Sequence, residues 1–193
     1  MKKILFLLMS LMFVMTSCEM DLTPDSAVPE HQALRTIDDC DAWVVGIYSA
    51  FKNSALYSGY MTLLPDIQAD MAYAALKTNT GFYSNFYQWN IKSTTDEIAA
   101  VYNGLYTIVA RCNFFIDYKA QVETNLKTEK EKQEFKKCLG DVYFARALAY
   151  AELIRLFCEP ITSENADKEN MGICLPVTYL DDVPMVKRST LRE

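Results

Sequence analysis

The residues best suited to chemistry lie in one short stretch. Phe82, Tyr83, Phe86, Tyr87 and Trp89 fall within eight residues, among Asn, Ser, Gln, Thr and Gly, and Asn90 follows directly. Flat aromatic faces stack on the C–H surfaces of sugar rings, and amides hydrogen-bond the hydroxyls around them. Tyr83, Tyr87, Trp89 and Asn90 are therefore the candidate ligand-binding residues. Tyr and Trp carry a polar handle suited to a partly wet site, whereas Phe82 and Phe86 are expected to pack under the segment onto neighbouring helices. Catalysis has little support. The one histidine, His31, precedes the first helical pattern, and no Ser or Cys has a recognisable base nearby. Asp38-Asp39 fits a helix first turn, where carboxylates oppose the helix dipole. Asp181-Asp182 lacks the regular oxygen-ligand spacing of a calcium loop. The chain is accordingly read as a non-enzyme with no cofactor and no metal.

The elements that must position these residues are helical. Thr36 precedes Asp39 by three residues, and Cys40, Val44, Ile47 and Phe51 recur at helical spacing, which predicts a helix over about 38–52. Thr94 and Glu97 have capping-box spacing ahead of Val101, Leu105, Ile108, Val109, Cys112 and Ile116, predicting a helix over about 95–118. Thr128 and Glu131 open a third, over 128–157, with Phe135, Leu139, Val142, Ala145, Ala149 and Leu153 on one stripe. Residues 53–93 and 158–187 read as irregular, with short elements at most. The last two helices predict an antiparallel hairpin around a polar loop of about ten residues. Gly104, Ala110, Gly140, Ala145, Ala147, Ala149 and Ala151 are expected to let helices approach closely. The expected class is all-α, with tetratricopeptide-like helix hairpins of α-solenoid type and long irregular loops, although no period of about 34 residues is visible. Arg146, beside the apolar stripe, is expected to satisfy carbonyls or a carboxylate between helices. Thr190 and Glu193 repeat the capping-box spacing at the chain's last residues, which reads as the start of a further helix and hence as a truncated chain.

The N-terminus bounds the setting. Lys2 and Lys3 precede an apolar run from Ile4 to Met15 that is too short to span a membrane and leads through Thr16-Ser17 to Cys18. This resembles the signal and lipobox of bacterial lipoproteins, with Met15 where leucine is usual, and makes Cys18 the lipidation site. The organisation is then signal peptide 1–17, lipid anchor and tether 18–35, and a helical domain 36–193. Cleavage takes the basic residues from 19 to 17 against 25 acidic ones, a net charge of -8 that disfavours nucleic acid. Cys40, Cys112, Cys138, Cys158 and Cys174 remain, an odd set allowing at most two disulfides.

The stretch GDVYFARALAYAELIRLF, residues 140–157, resembles the helix signature of the SusD/RagB family, G-E-A-x-F-x-R-A-x-x-Y-x-x-L. Gly140, Phe144, Arg146, Ala147, Tyr150 and Leu153 match it, while Asp141 and Val142 depart from it. LYTIVARCNFFID with Tyr106 and Asn113, QADMAY with Asp70, and GICLPV followed by VKRST resemble further stretches of the family in order. The turn Cys158-Glu159-Pro160 departs from the family's G-x-x-P. The resemblance covers nearly the whole mature chain but only the N-terminal portion of such proteins. It implies a helical nutrient-binding lipoprotein on the cell outer membrane, surface-exposed, that binds an oligosaccharide or peptide and partners a SusC-like TonB-dependent transporter. It also places Trp89 and Asn90 in the region from which starch-binding members contribute a stacking tryptophan and an asparagine. The competing expectation is a helical-repeat scaffold that binds only the transporter.

Overall fold

The computed structural model of the protein describes residue 29 and residues 32–74, 81–179 and 186–193. The signal peptide, Cys18, His31 and Asp181-Asp182 lie outside the described residues. The residues from Leu34 onward form one compact unit. Among the described residues there are five α-helices and no strand, so the chain is all-α. They are α1 (Ile37–Phe51), α2 (Tyr60–Gln68), α3 (Ser84–Tyr87), α4 (Asp96–Glu123) and α5 (Glu129–Phe157).

Helix starts follow local chemistry. The Thr36 hydroxyl accepts from the Asp39 N–H while the Asp39 carboxylate accepts from the Thr36 N–H, and Thr128 and Glu131 do the same for α5. The box expected at Thr94 and Glu97 does not form. Thr95 is the N-cap of α4, and its hydroxyl accepts from the Lys92 N–H instead of serving the helix. The far end also differs: α4 continues to Glu123 because Val122 is fully buried, leaving a short turn before α5. Within the stretch read as irregular, Met61, Leu64 and Ile67 bury one side of α2 despite Pro65 inside it. At its start Gly59 approaches the Ser54 carbonyl so closely that a Cβ would overlap it.

The core is a three-helix bundle. The antiparallel pair α4 and α5 makes the largest interface, and α1 packs on both. Leu105, Ile108, Cys112 and Phe115 of α4 meet Phe135, Val142, Ala145, Ala149 and Leu153 of α5, all of them buried. Stacking of successive hairpins is not displayed by the described residues. Two polar cross-links tie α1 to α4: the Trp43 indole N–H donates to the Arg111 carbonyl at 3.0 Å, and the Arg111 guanidinium donates to the Gly46 carbonyl at 3.0 Å. The small residues divide. Ala145 and Ala149 sit in the interface, whereas Ala110, Gly140, Ala147 and Ala151 face outward, and Gly104 meets Leu56 rather than α5. Burial pushes the thiols of Cys40, Cys112 and Cys138 up to about 12, and in the last of these a hydrogen bond to Asp41 adds to the effect. These three are inert core residues, and all five cysteines from Cys40 to Cys174 are free.

Beyond α5 the chain returns across the hairpin. Residues 174–179 run along it with a bend at Thr178, tied by side chains of α4 and α5, and Cys174 bridges antiparallel to Arg188. The bridge requires Gly172, where a Cβ would overlap the Ser189 hydroxyl and the Thr190 carbonyl. Arg188 donates to the Phe157 carbonyl, capping the end of α5. Thr190 and Glu193 exchange the reciprocal hydrogen bonds of a capping box.

Leu153 is fully buried and Leu139 only partly, so the two respond differently to charge. Leu153→Asp is expected to lose more than about 3 kcal/mol of stability, and Leu139→Asp clearly less, because only the first buries a carboxylate without a partner. Urea unfolding followed by circular dichroism measures both, and equal losses would show the stripe to be misplaced.

Candidate functional site

The aromatic segment is built on a helix of four residues. Phe86, 1% exposed, is its anchor, packed with Leu64 and Ile67 of α2 in a small cluster apart from the main core. Tyr83 and Tyr87 lie against this cluster and are half-buried, as is Ile98 at the start of α4. Tyr60 meets the Tyr83 ring edge-on at 6.1 Å. The assignment of Phe86 to a core therefore holds. That of Phe82 does not: its ring is 69% exposed and tilts against Tyr83 at 6.0 Å, because α3 begins after it and turns it outward. Asn90 is exposed and Trp89 is 66% exposed.

The backbone explains how Trp89 comes to be displayed. The Trp89 N–H donates to the Phe86 carbonyl at 3.2 Å, and the Asn90 N–H to the Asn85 carbonyl at 2.8 Å. These are the two bonds of a Schellman helix end. Its left-handed position, normally glycine, is held by Trp89 at φ 55°. Tyr83 precedes α3 at φ 59°, also left-handed. A bulky residue in this region is an outlier costing about 1–2 kcal/mol, and such positions concentrate at binding and catalytic sites. α2 ends the same way: Asp70, at φ 58°, donates to the Ile67 carbonyl and Met71 to that of Asp66. Just beyond, Met71 and Tyr73 are strongly exposed, and neither was singled out from sequence. The signal that could have found them is the apolar spacing of α2, which Pro65 interrupts.

The signature residues of α5 do something else. Arg146 donates to the Asn113 side-chain oxygen at 2.8 Å and lies 3.4 Å from the Val177 carbonyl, so it satisfies carbonyl groups between helices as expected. Tyr150 donates to the Pro176 carbonyl. Gly140, Phe144 and Ala147 face solvent, with Phe144 61% exposed, and Leu153 is core. Among the described residues no three His, Cys, Asp or Glu side chains gather as metal ligands, and no helix is long and apolar enough to cross a membrane.

The exposed aromatic turn thus stands on its own small cluster, apart from the helical core. The chain belongs to the SusD-like family: residues 20–193 match a family model described as starch-binding associating with outer membrane. No curated protein and no solved structure matches the chain.

The left-handed Trp89 gives a direct test of whether the turn is kept for display rather than for folding. Trp89→Gly removes the steric cost at φ > 0 and little packing, against the larger chain entropy of glycine when unfolded. The variant is expected to melt within about 1 kcal/mol of the parent and on the stable side. A marked fall in melting temperature would show that the indole holds the fold together.

Proposed function

We propose that the protein is a cell-surface lipoprotein that binds glycan through Trp89, with Tyr83, Tyr87 and Asn90 completing the contact, and passes it to a SusC-like TonB-dependent transporter in the outer membrane. The observation carrying this is the exposed Trp89 at a glycine position of a Schellman turn. Family membership supports starch-like glycan as the ligand class and the outer membrane as the location. The half-burial of Tyr83 and Tyr87 against Leu64, Ile67 and Phe86 supports a role in steadying the turn while leaving part of each ring accessible. A single stacked ring contributes about 1 kcal/mol beyond area burial, so the site holds sugar weakly and depends on each aromatic. The expected result in affinity electrophoresis through soluble starch is retardation of the protein, reduced about fivefold by Trp89→Ala without loss of fold. No retardation of the parent protein, against starch or a panel of other glycans, would overturn the reading.

The setting rests on Cys18 following Thr16-Ser17. Diacyl attachment there fixes the domain to the membrane by two chains, as stable anchoring requires. Cys18→Ser is expected to abolish labelling by a palmitate analogue and to release the protein from the membrane fraction; unchanged labelling is the contrary result. A second reading, a scaffold that binds only the transporter, is favoured by the outward stripe Phe144, Ala147, Ala151 and Ile154 on α5, whose spacing suits a partner helix. Capture of the transporter without any glycan binding distinguishes it.

A further inference from the structure

The turn that displays Trp89 has a twin at the end of α2. There the Asp70 N–H donates to the Ile67 carbonyl at 3.3 Å and the Met71 N–H to the Asp66 carbonyl at 2.9 Å, the same pair of Schellman bonds. Asp70, at φ 58°, holds the left-handed position that Trp89 holds at φ 55°. The residues that follow alternate. Met71 is 80% exposed and Tyr73 82%, whereas Ala72 packs on the cluster of Leu64, Ile67 and Phe86, and Ala74 is buried. This inverts the usual preference, since a large apolar side chain gains more than alanine by leaving water. The small residues turn in and the large ones out, so Tyr73 is held at the surface by a buried neighbour on either side.

Both displays stand on one support. α2 packs on α3, and Phe86 of α3 shares its cluster with Leu64 and Ile67 of α2. Ala72, next to Tyr73, and Tyr87, two residues before Trp89, pack against that same cluster. The two exposed rings are thus anchored to the same few buried residues. The surface on the α3 side is broken by amides, because Asn85, Gln88 and Asn90 are all exposed. A protein-docking surface is a contiguous apolar patch, whereas rings set among hydrogen-bonding groups suit a ligand that offers C–H faces and hydroxyls together. A linear glycan repeats that offer along its length, so a second ring on the same support can meet a second unit of the same chain.

We propose that Tyr73, with the Met71 thioether beside it, is a second stacking subsite for the glycan that stacks on Trp89, so that one linear glucan chain lies across both turns and the protein selects for chain length; this rests on the glycan reading of Trp89. Met71 supplies a flexible apolar contact that adapts to the ligand beside the ring. Once one unit is stacked on Trp89, the contact with Tyr73 is intramolecular, and its gain is realised only by chains long enough to reach it. Shorter glycans occupy one ring at a time.

Calorimetric titration of the full chain with maltose and with maltoheptaose tests this. Maltoheptaose is expected to bind about tenfold more tightly than maltose, or better. Tyr73→Ala should remove most of that advantage while maltose affinity stays within about twofold, and Tyr73→Phe, which keeps the ring face, should retain it. Trp89→Ala should weaken both sugars. Because both side chains are exposed, circular dichroism should show every variant folded. The two kinds of failure are separable. If the parent protein binds neither sugar, the starch-like ligand and the second subsite fall together. If both sugars bind and depend on Trp89, the second subsite alone is overturned by any of four results: no advantage for maltoheptaose, an advantage that survives Tyr73→Ala, equal weakening of both sugars by Tyr73→Ala, or loss of the advantage in Tyr73→Phe.

Discussion

A buried carboxamide between two helices must find partners for both its ends, and Asn113 finds them in opposite directions. Its oxygen takes the Arg146 guanidinium from α5, and its nitrogen gives to the carbonyls of Pro176 and Thr178. Left without these bonds the group would cost about 1–3 kcal/mol, more with the charged guanidinium beside it. The pair therefore couples three things that could otherwise vary independently: the rotation of α4, the rotation of α5 and the path of the chain after α5. The cross-links of Trp43 and Arg111 do the same for α1 on the other side of α4. With rotations fixed, the apolar stripes meet in register and the bundle has one packing.

The aromatic turn is secured separately. Its cluster of Leu64, Ile67 and Phe86 touches the bundle through Ile98 and little else, so strain at Trp89 and Tyr83 is borne by a satellite and not by the main core. This division lets a binding surface carry unfavourable backbone without reducing the registration of the helices. The signature stretch of α5 shows a similar division within one helix. Leu153 faces the core, Arg146 and Tyr150 face the returning segment, and Gly140, Phe144 and Ala147 face out. A single helix serves three surfaces.

Much of the fold was legible because its determinants are local. Thr36 with Asp39 and Thr128 with Glu131 announce helix starts within four residues, and apolar periodicity marks the body of each helix. The start of α4 was misplaced by one residue because the Thr94–Glu97 spacing suggests a capping box, whereas Thr95 is the N-cap and its hydroxyl is taken by the Lys92 N–H. Phe82 and Phe86 look alike in sequence; only the four residues of α3 decide which turns in. The candidate residues Tyr83, Tyr87, Trp89 and Asn90 were visible by composition, but their backbone was not, since nothing in the sequence marks a tryptophan as left-handed. The bonds of residues 174–179 span sequence separations of 26 to 68 residues, beyond the reach of any local pattern.

The returning segment also carries an order of events. Its carbonyls are met by Asn113 from α4 and by Tyr150 from α5, so the surface that receives it does not exist until the two helices have closed on each other. Closing the hairpin involves neighbours joined by a short turn, which is the quick kind of contact, whereas docking the segment requires the helices to be in place first. In the finished protein the sequence reverses. The amide of Tyr179, pinned to Asp117, can exchange its hydrogen whenever the segment lifts away, without disturbing amides such as that of Cys112 deep in α4. The part of the molecule that arrives last is the part that can leave alone.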